Sequence, residues 1–83
     1  MPQVMDDGFA RAIASMAIFL EFSDERIVDP DAAVEVLEML SSELLTLPSD
    51  RRAALDEAFK RISHGYGDRA EFVSSLADAL GLL

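Results

Sequence analysis

Eighty-three residues with no cysteine, one histidine and no tryptophan leave room for a single domain over residues 1–83. They exclude disulfide scaffolds, thiolate-held zinc or iron–sulfur sites and histidine-rich metal centres, so neither a metal nor a cofactor is expected. Sixteen acidic residues against seven basic ones give a net charge of −9, which opposes a phosphate backbone and argues against a nucleic-acid partner. Apolar residues at 51% are enough to build a core, and disorder is not expected.

The first seven residues, Met1-Pro2-Gln3-Val4-Met5-Asp6-Asp7, hold no basic run of the kind that opens a secretory signal. The longest apolar stretch, Ala12 to Leu20, is nine residues with Ser15 inside it, against about 20 for a membrane span. A cytoplasmic protein without a membrane segment is the expectation.

Four segments carry helical periodicity, at roughly 7–22, 30–47, 50–63 and 69–80, and no segment shows the alternation of a half-buried strand. This predicts an all-α, small single-domain four-helix bundle. In the first helix Phe9, Ile13, Met16 and Leu20 fall on one apolar stripe. Ile18 and Phe22 make the opposite column apolar as well, with Phe19 to the side. A helix so apolar around its circumference suits a central position or a contact between chains, and Ile18, Phe19 and Phe22 form a candidate homodimer interface.

The second helix opens on Asp29 as N-cap with Pro30 in the first helical position and Asp31 in the first turn. Ala33, Val36, Leu37, Leu40, Leu44 and Leu47 mark its inner face, and Pro48 ends it. The third helix has Ser49 as its expected N-cap and Leu55, Ala58, Phe59 and Ile62 as its core side. Asp56–Lys60 and Glu57–Arg61 stand at the spacing of intrahelical ion pairs. After the turn His64-Gly65-Tyr66-Gly67, a fourth helix begins at Asp68, with Glu71 completing a capping-box-like pair. It buries Phe72, Val73, Leu76, Ala77 and Leu80. Gly81 stands where a left-handed cap belongs, with Leu82 placed to pack back.

The charge is lopsided. Residues 21–43 hold eight acids against Arg26 alone, a net −7 out of the chain's −9. Part of this keeps an apolar domain soluble. Like charges at i, i+3 and i, i+4 nevertheless cost helix stability, and Val34, Leu45 and Met39 border the acids with apolar surface. The pattern marks a docking face for a basic protein partner, with Asp24, Glu25, Asp31, Glu35 and Glu38 as charged contacts and Val34, Met39 and Tyr66 as apolar anchors.

Other chemistries fail on residue type. Asp24 to Glu35 has the span of an EF-hand loop, but Arg26, Val28 and Asp29 occupy positions that need ligands and a glycine. His64 has Ser63 beside it and Asp68 nearby, without any nucleophile motif, so no catalytic residue is assigned and the chain is not expected to be an enzyme. Arg51 and Arg52 sit in the first turn of the third helix, where the dipole disfavours cations. Their stems are expected to cover apolar surface and their heads to meet acids of the second helix. An acyl carrier would need a modifiable serine where Asp29-Pro30-Asp31-Ala32-Ala33 stands. In size, acidity and helix count the chain resembles the colicin-type immunity proteins of bacteria. It lacks their tyrosine pair before proline, so the likeness is one of architecture and carries over no residue. The acidic face of the second helix is what leads to the expectation of a non-enzymatic, inhibitor or immunity-type protein that blocks a basic partner.

Overall fold

In the computed structural model, which describes residues 5–83, the chain forms α1 (Asp7–Phe22), α2 (Pro30–Leu44), α3 (Ser49–Ile62), α4 (Ala70–Ser74) and α5 (Leu76–Ala79). Two 3₁₀ turns, Ser63–Gly65 and Gly67–Arg69, join α3 to α4. The reading of Met1–Val4 lies outside the described residues. The result is a small all-helical single domain. It measures 46 × 28 × 18 Å, and its short dimension holds two helix layers at the usual 8–10 Å spacing.

The core is built on α3. Leu55, Ala58 and Phe59 are fully buried and meet Val73, Leu76 and Ala77 from α4 and α5. On the other side α1 supplies Ala10, Ala14 and Ala17, each without any exposed surface. The large apolar stripe of α1 lies mostly outside this contact: Phe9 is 67% and Met16 51% exposed, Leu20 is half-buried, and of the four only Ile13 packs against the core cluster. The cause lies on α3, where Phe59 and Leu55 already fill the space between the helices. Facing layers interdigitate when large residues meet small ones, so α1 turns its alanines inward.

Asp29 caps α2 as expected, its Oδ2 accepting the Ala32 N–H at 3.0 Å. The helix ends three residues earlier than expected, at Leu44. Thr46 Oγ1 donates to the Glu43 carbonyl at 2.6 Å, and the chain turns toward Pro48. Only Ala33 of α2 is buried; Leu37, Leu40 and Leu44 are half-buried and Val36, expected inside, is exposed. The helix packs principally on α1.

Three cap and pair assignments change. The N-cap of α3 is Pro48, without a side-chain cap, and Ser49 is already helical. Asp68 lies in a 3₁₀ turn and makes no cap bond with α4. Arg61 turns from Glu57 to Asp7, at 2.6 Å from Nη2 to Oδ1, and also donates to the Met5 carbonyl, tying the end of α3 to the start of α1. Lys60–Asp56 forms as expected at 2.8 Å. The single fourth helix is interrupted at Ser75. Its hydroxyl donates to the Glu71 carbonyl at 2.9 Å, the back-bonding that disturbs a helix interior.

The C-terminus closes as expected. Gly81 has φ +75°, its N–H donates to the Asp78 carbonyl, and the Leu82 N–H donates to the Ala77 carbonyl at 2.9 Å. Those two bonds are a Schellman cap, and Leu82 is buried against the core.

Candidate interaction surface

The connection from α1 to α2 turns on Asp24. Its carboxylate accepts the Arg26 backbone N–H at 2.8 Å and is held by the same residue's guanidinium, at 3.0 Å from Nε and 3.1 Å from Nη2. The guanidinium holds the Asp24 carboxyl below the usual carboxylate range. Asp24 is thus neutralised within its own turn and differs from the other acids expected on the surface. The tip of this turn exposes Ile27, at 70%, a residue that periodicity passes over because it lies between helices.

Glu25, Asp31, Glu35 and Glu38 are exposed, and among the described residues none of them forms an ion pair within the chain. Glu43 joins them. Glu35, Glu38, Met39, Ser42 and Glu43 line a shallow recess of about 500 Å³ on the outer side of α2. The helix therefore shows solvent a row of carboxylates flanked by Val34 and Leu45 on one side and by Val36 and Met39 on the other. Met39 is 66% exposed.

The Val34 side opens into a second depression. Val34, Leu37, Glu38, Ser41 and Leu45 from α2 form one wall; Phe72 from α4, and Leu76, Ala79 and Leu80 around α5, form the other. Its volume is about 540 Å³, and Glu21 of α1 joins Glu38 in the lining. The sequence places Leu37, Phe72, Leu76 and Leu80 in a core and Val34 and Leu45 beside the acids, and it does not reveal the groove because its walls are nearly thirty positions apart in the chain. The signal that was present is the apolar periodicity of residues 34–45 beyond what one packed face requires.

The remaining candidates separate. Tyr66 is half-buried and packs against the core cluster. Ile18 is also half-buried against that cluster. The Phe22 ring meets Phe72 edge-on at 4.9 Å, with the Arg69 guanidinium 3.7 Å from its centroid. Phe19 and Phe22 both remain exposed, at 53% and 42%, but of these two Phe19 is the one without a ring or cation partner among the described residues. It shares a recess of about 280 Å³ with Ser15, Met16, Leu20 and Val36. Arg52 does not meet an acid of α2; its Nη1 donates to the Leu82 carbonyl at 3.4 Å, under the C-terminal cap. His64 is exposed on its 3₁₀ turn.

Among the described residues no group of three or more His, Cys, Asp or Glu side chains is placed to hold a metal ion. No helix among them is long and apolar enough to cross a membrane. Comparison of the chain with protein-family models, with curated proteins and with solved structures finds no match.

Proposed function

We propose that this chain is a non-enzymatic protein-interaction module that receives a basic partner on α2, in the manner of a cytoplasmic inhibitor or immunity-type protein of bacterial kind. The observation that carries this reading is the set of exposed carboxylates Glu25, Asp31, Glu35 and Glu38 without ion pairs among the described residues, flanked by exposed Val34 and Met39. Unpaired carboxylates on one face raise the local concentration of a cationic partner and orient its approach. The adjacent apolar side chains supply area that excludes water once contact is made. Asp24 has a smaller part, since Arg26 already engages it. Capture from cytosol at low and high salt tests the reading: basic proteins retained at low salt should be lost with the double substitution Glu35→Lys, Glu38→Lys. Retention unchanged by that reversal would remove α2 as the receiving face.

A second reading is favoured by a different helix. Phe9, Met16 and Phe19 lie exposed on α1, and a second copy would cover them together with Val36 of α2, which shares the Phe19 recess. The self-contact then keeps Phe19 and draws on Met16 in place of Ile18 and Phe22, which have partners inside the chain. Light scattering should give twice the chain mass, falling to one chain in a Met16→Glu, Phe19→Glu variant that stays helical. A monomer at high concentration rules the dimer out.

A further inference from the structure

We propose that the groove between α2 and α4–α5 seats a single amphipathic, cationic helix of the partner protein. The inference rests on reading α2 as the receiving element and adds the form of what it receives. Along α2 the lining runs from Val34 to Leu45, eleven residue steps or about 16 Å at 1.5 Å per step. That is the length over which a second helix presents apolar side chains at i, i+4, i+7 and i+11. The opposite wall repeats the same helical spacing at Phe72, Leu76 and Ala79. Because α2 packs principally on α1 while α4 and α5 pack on α3, the two walls are separate elements with an open channel between them.

Charge selects the occupant. Glu21 and Glu38 line the groove, and neither forms an ion pair with a described residue. Arg69 is held over Phe22, whose ring meets Phe72 of the groove wall edge-on, and neither Arg69 nor Phe22 is part of the lining. An apolar floor with carboxylates beside it complements leucine-like anchors flanked by lysine or arginine, and opposes a fatty acid or any ligand with an anionic head. A second copy of this chain is a poor occupant as well. Its net charge is −9, and four of its seven basic residues lie on α3, the helix that builds its core.

The test uses a synthetic peptide of about fourteen leucine and lysine residues, with leucines at helical spacing, and an isomer of the same composition with the leucines scrambled. Chemical-shift mapping and titration are run on the whole chain. The spaced peptide is expected to bind about tenfold tighter than its isomer and to shift Leu37, Leu45, Phe72 and Leu76. Ala79→Glu, which fills the channel from an exposed position, and Leu45→Asp should each weaken it by a similar factor with helicity unchanged. Equal binding of the two isomers, with shifts confined to Asp31 and Glu35, overturns the groove and leaves α2 as a receiving face. Binding of neither peptide overturns both. Laurate seated in the groove and not displaced by the spaced peptide overturns the assigned occupant.

Discussion

The helices α2 and α3 are nearly equal in length and lie next to each other in sequence, yet one is built inward and the other outward. Leu55, Ala58 and Phe59 of α3 are fully buried, and the basic residues around them close the structure: Arg61 binds Asp7, Lys60 binds Asp56, and Arg52 reaches the Leu82 carbonyl. On α2 only Ala33 is buried, the acids lack ion pairs among the described residues, and Val34, Val36 and Met39 stand exposed, with Leu45 at the C-cap. A cation near the core finds an internal partner, whereas the carboxylates of α2 are left for an external one. The difference teaches that overall apolar content says little about where a surface is receptive. What matters is which apolar side chains the core does not use.

The sharpest way to break this comparison is to remove a large side chain from each helix. Phe59→Ala should cost about 3–5 kcal/mol through lost burial and the cavity left behind. Against a total of about 4–12 kcal/mol for a chain of this size, urea denaturation should show a domain close to unfolding in water. A loss below about 1 kcal/mol would mean that α3 is not the centre of the fold.

Gly81→Ala comes next. No atom lies within 4 Å of the added Cβ, so the cost is that of a left-handed backbone alone, about 1–2 kcal/mol. It should appear as a lower urea midpoint with an unchanged slope. No loss would mean that the Schellman cap is not held in solution.

The tie between α3 and α1 sharpens the comparison through pH. The Arg61 guanidinium holds the Asp7 carboxyl below its ordinary value. The stability this contributes is present above the unfolded carboxyl value, about 3.9, and is lost as pH falls through the lower native value. Wild type should therefore lose more stability below about pH 4 than Asp7→Asn does. Parallel profiles would show the pair to be open in solution. The smallest effect belongs to α2: Val34→Ser with Met39→Ser should stay within about 0.5 kcal/mol of wild type, since both side chains are exposed. A clear destabilisation would assign them to the fold instead.

The sequence made some of this visible and hid the rest for physical reasons. The Asp29–Pro30 start of α2, the Gly81–Leu82 close and the core side of α3 were legible because each depends on residues within one or two turns of each other. The acidic face of α2 was legible for the same reason. The orientation of α1 was not: its alanine stripe and its large-residue stripe have the same period, and only the bulk of Phe59 and Leu55 decides between them. Nor was Arg61's choice of Asp7 over Glu57, fifty-four positions away against four. The break at Ser75 had a local cause, a hydroxyl able to bond the preceding turn, that periodicity alone does not weigh. The groove was out of reach because it exists only once α2 and α5 face each other.

Amide hydrogen exchange, followed residue by residue with and without the spaced leucine–lysine peptide, tests the division between the two helices most directly. In the free chain α2 should exchange faster than α3, whose protection approaches that of global unfolding. On adding peptide, protection should rise along α2 from Asp31 to Leu45 and stay constant on the outer side of α1. Protection that rises instead at Phe9, Met16 and Phe19, or an α2 already as protected as α3 in the free chain, would contradict the account.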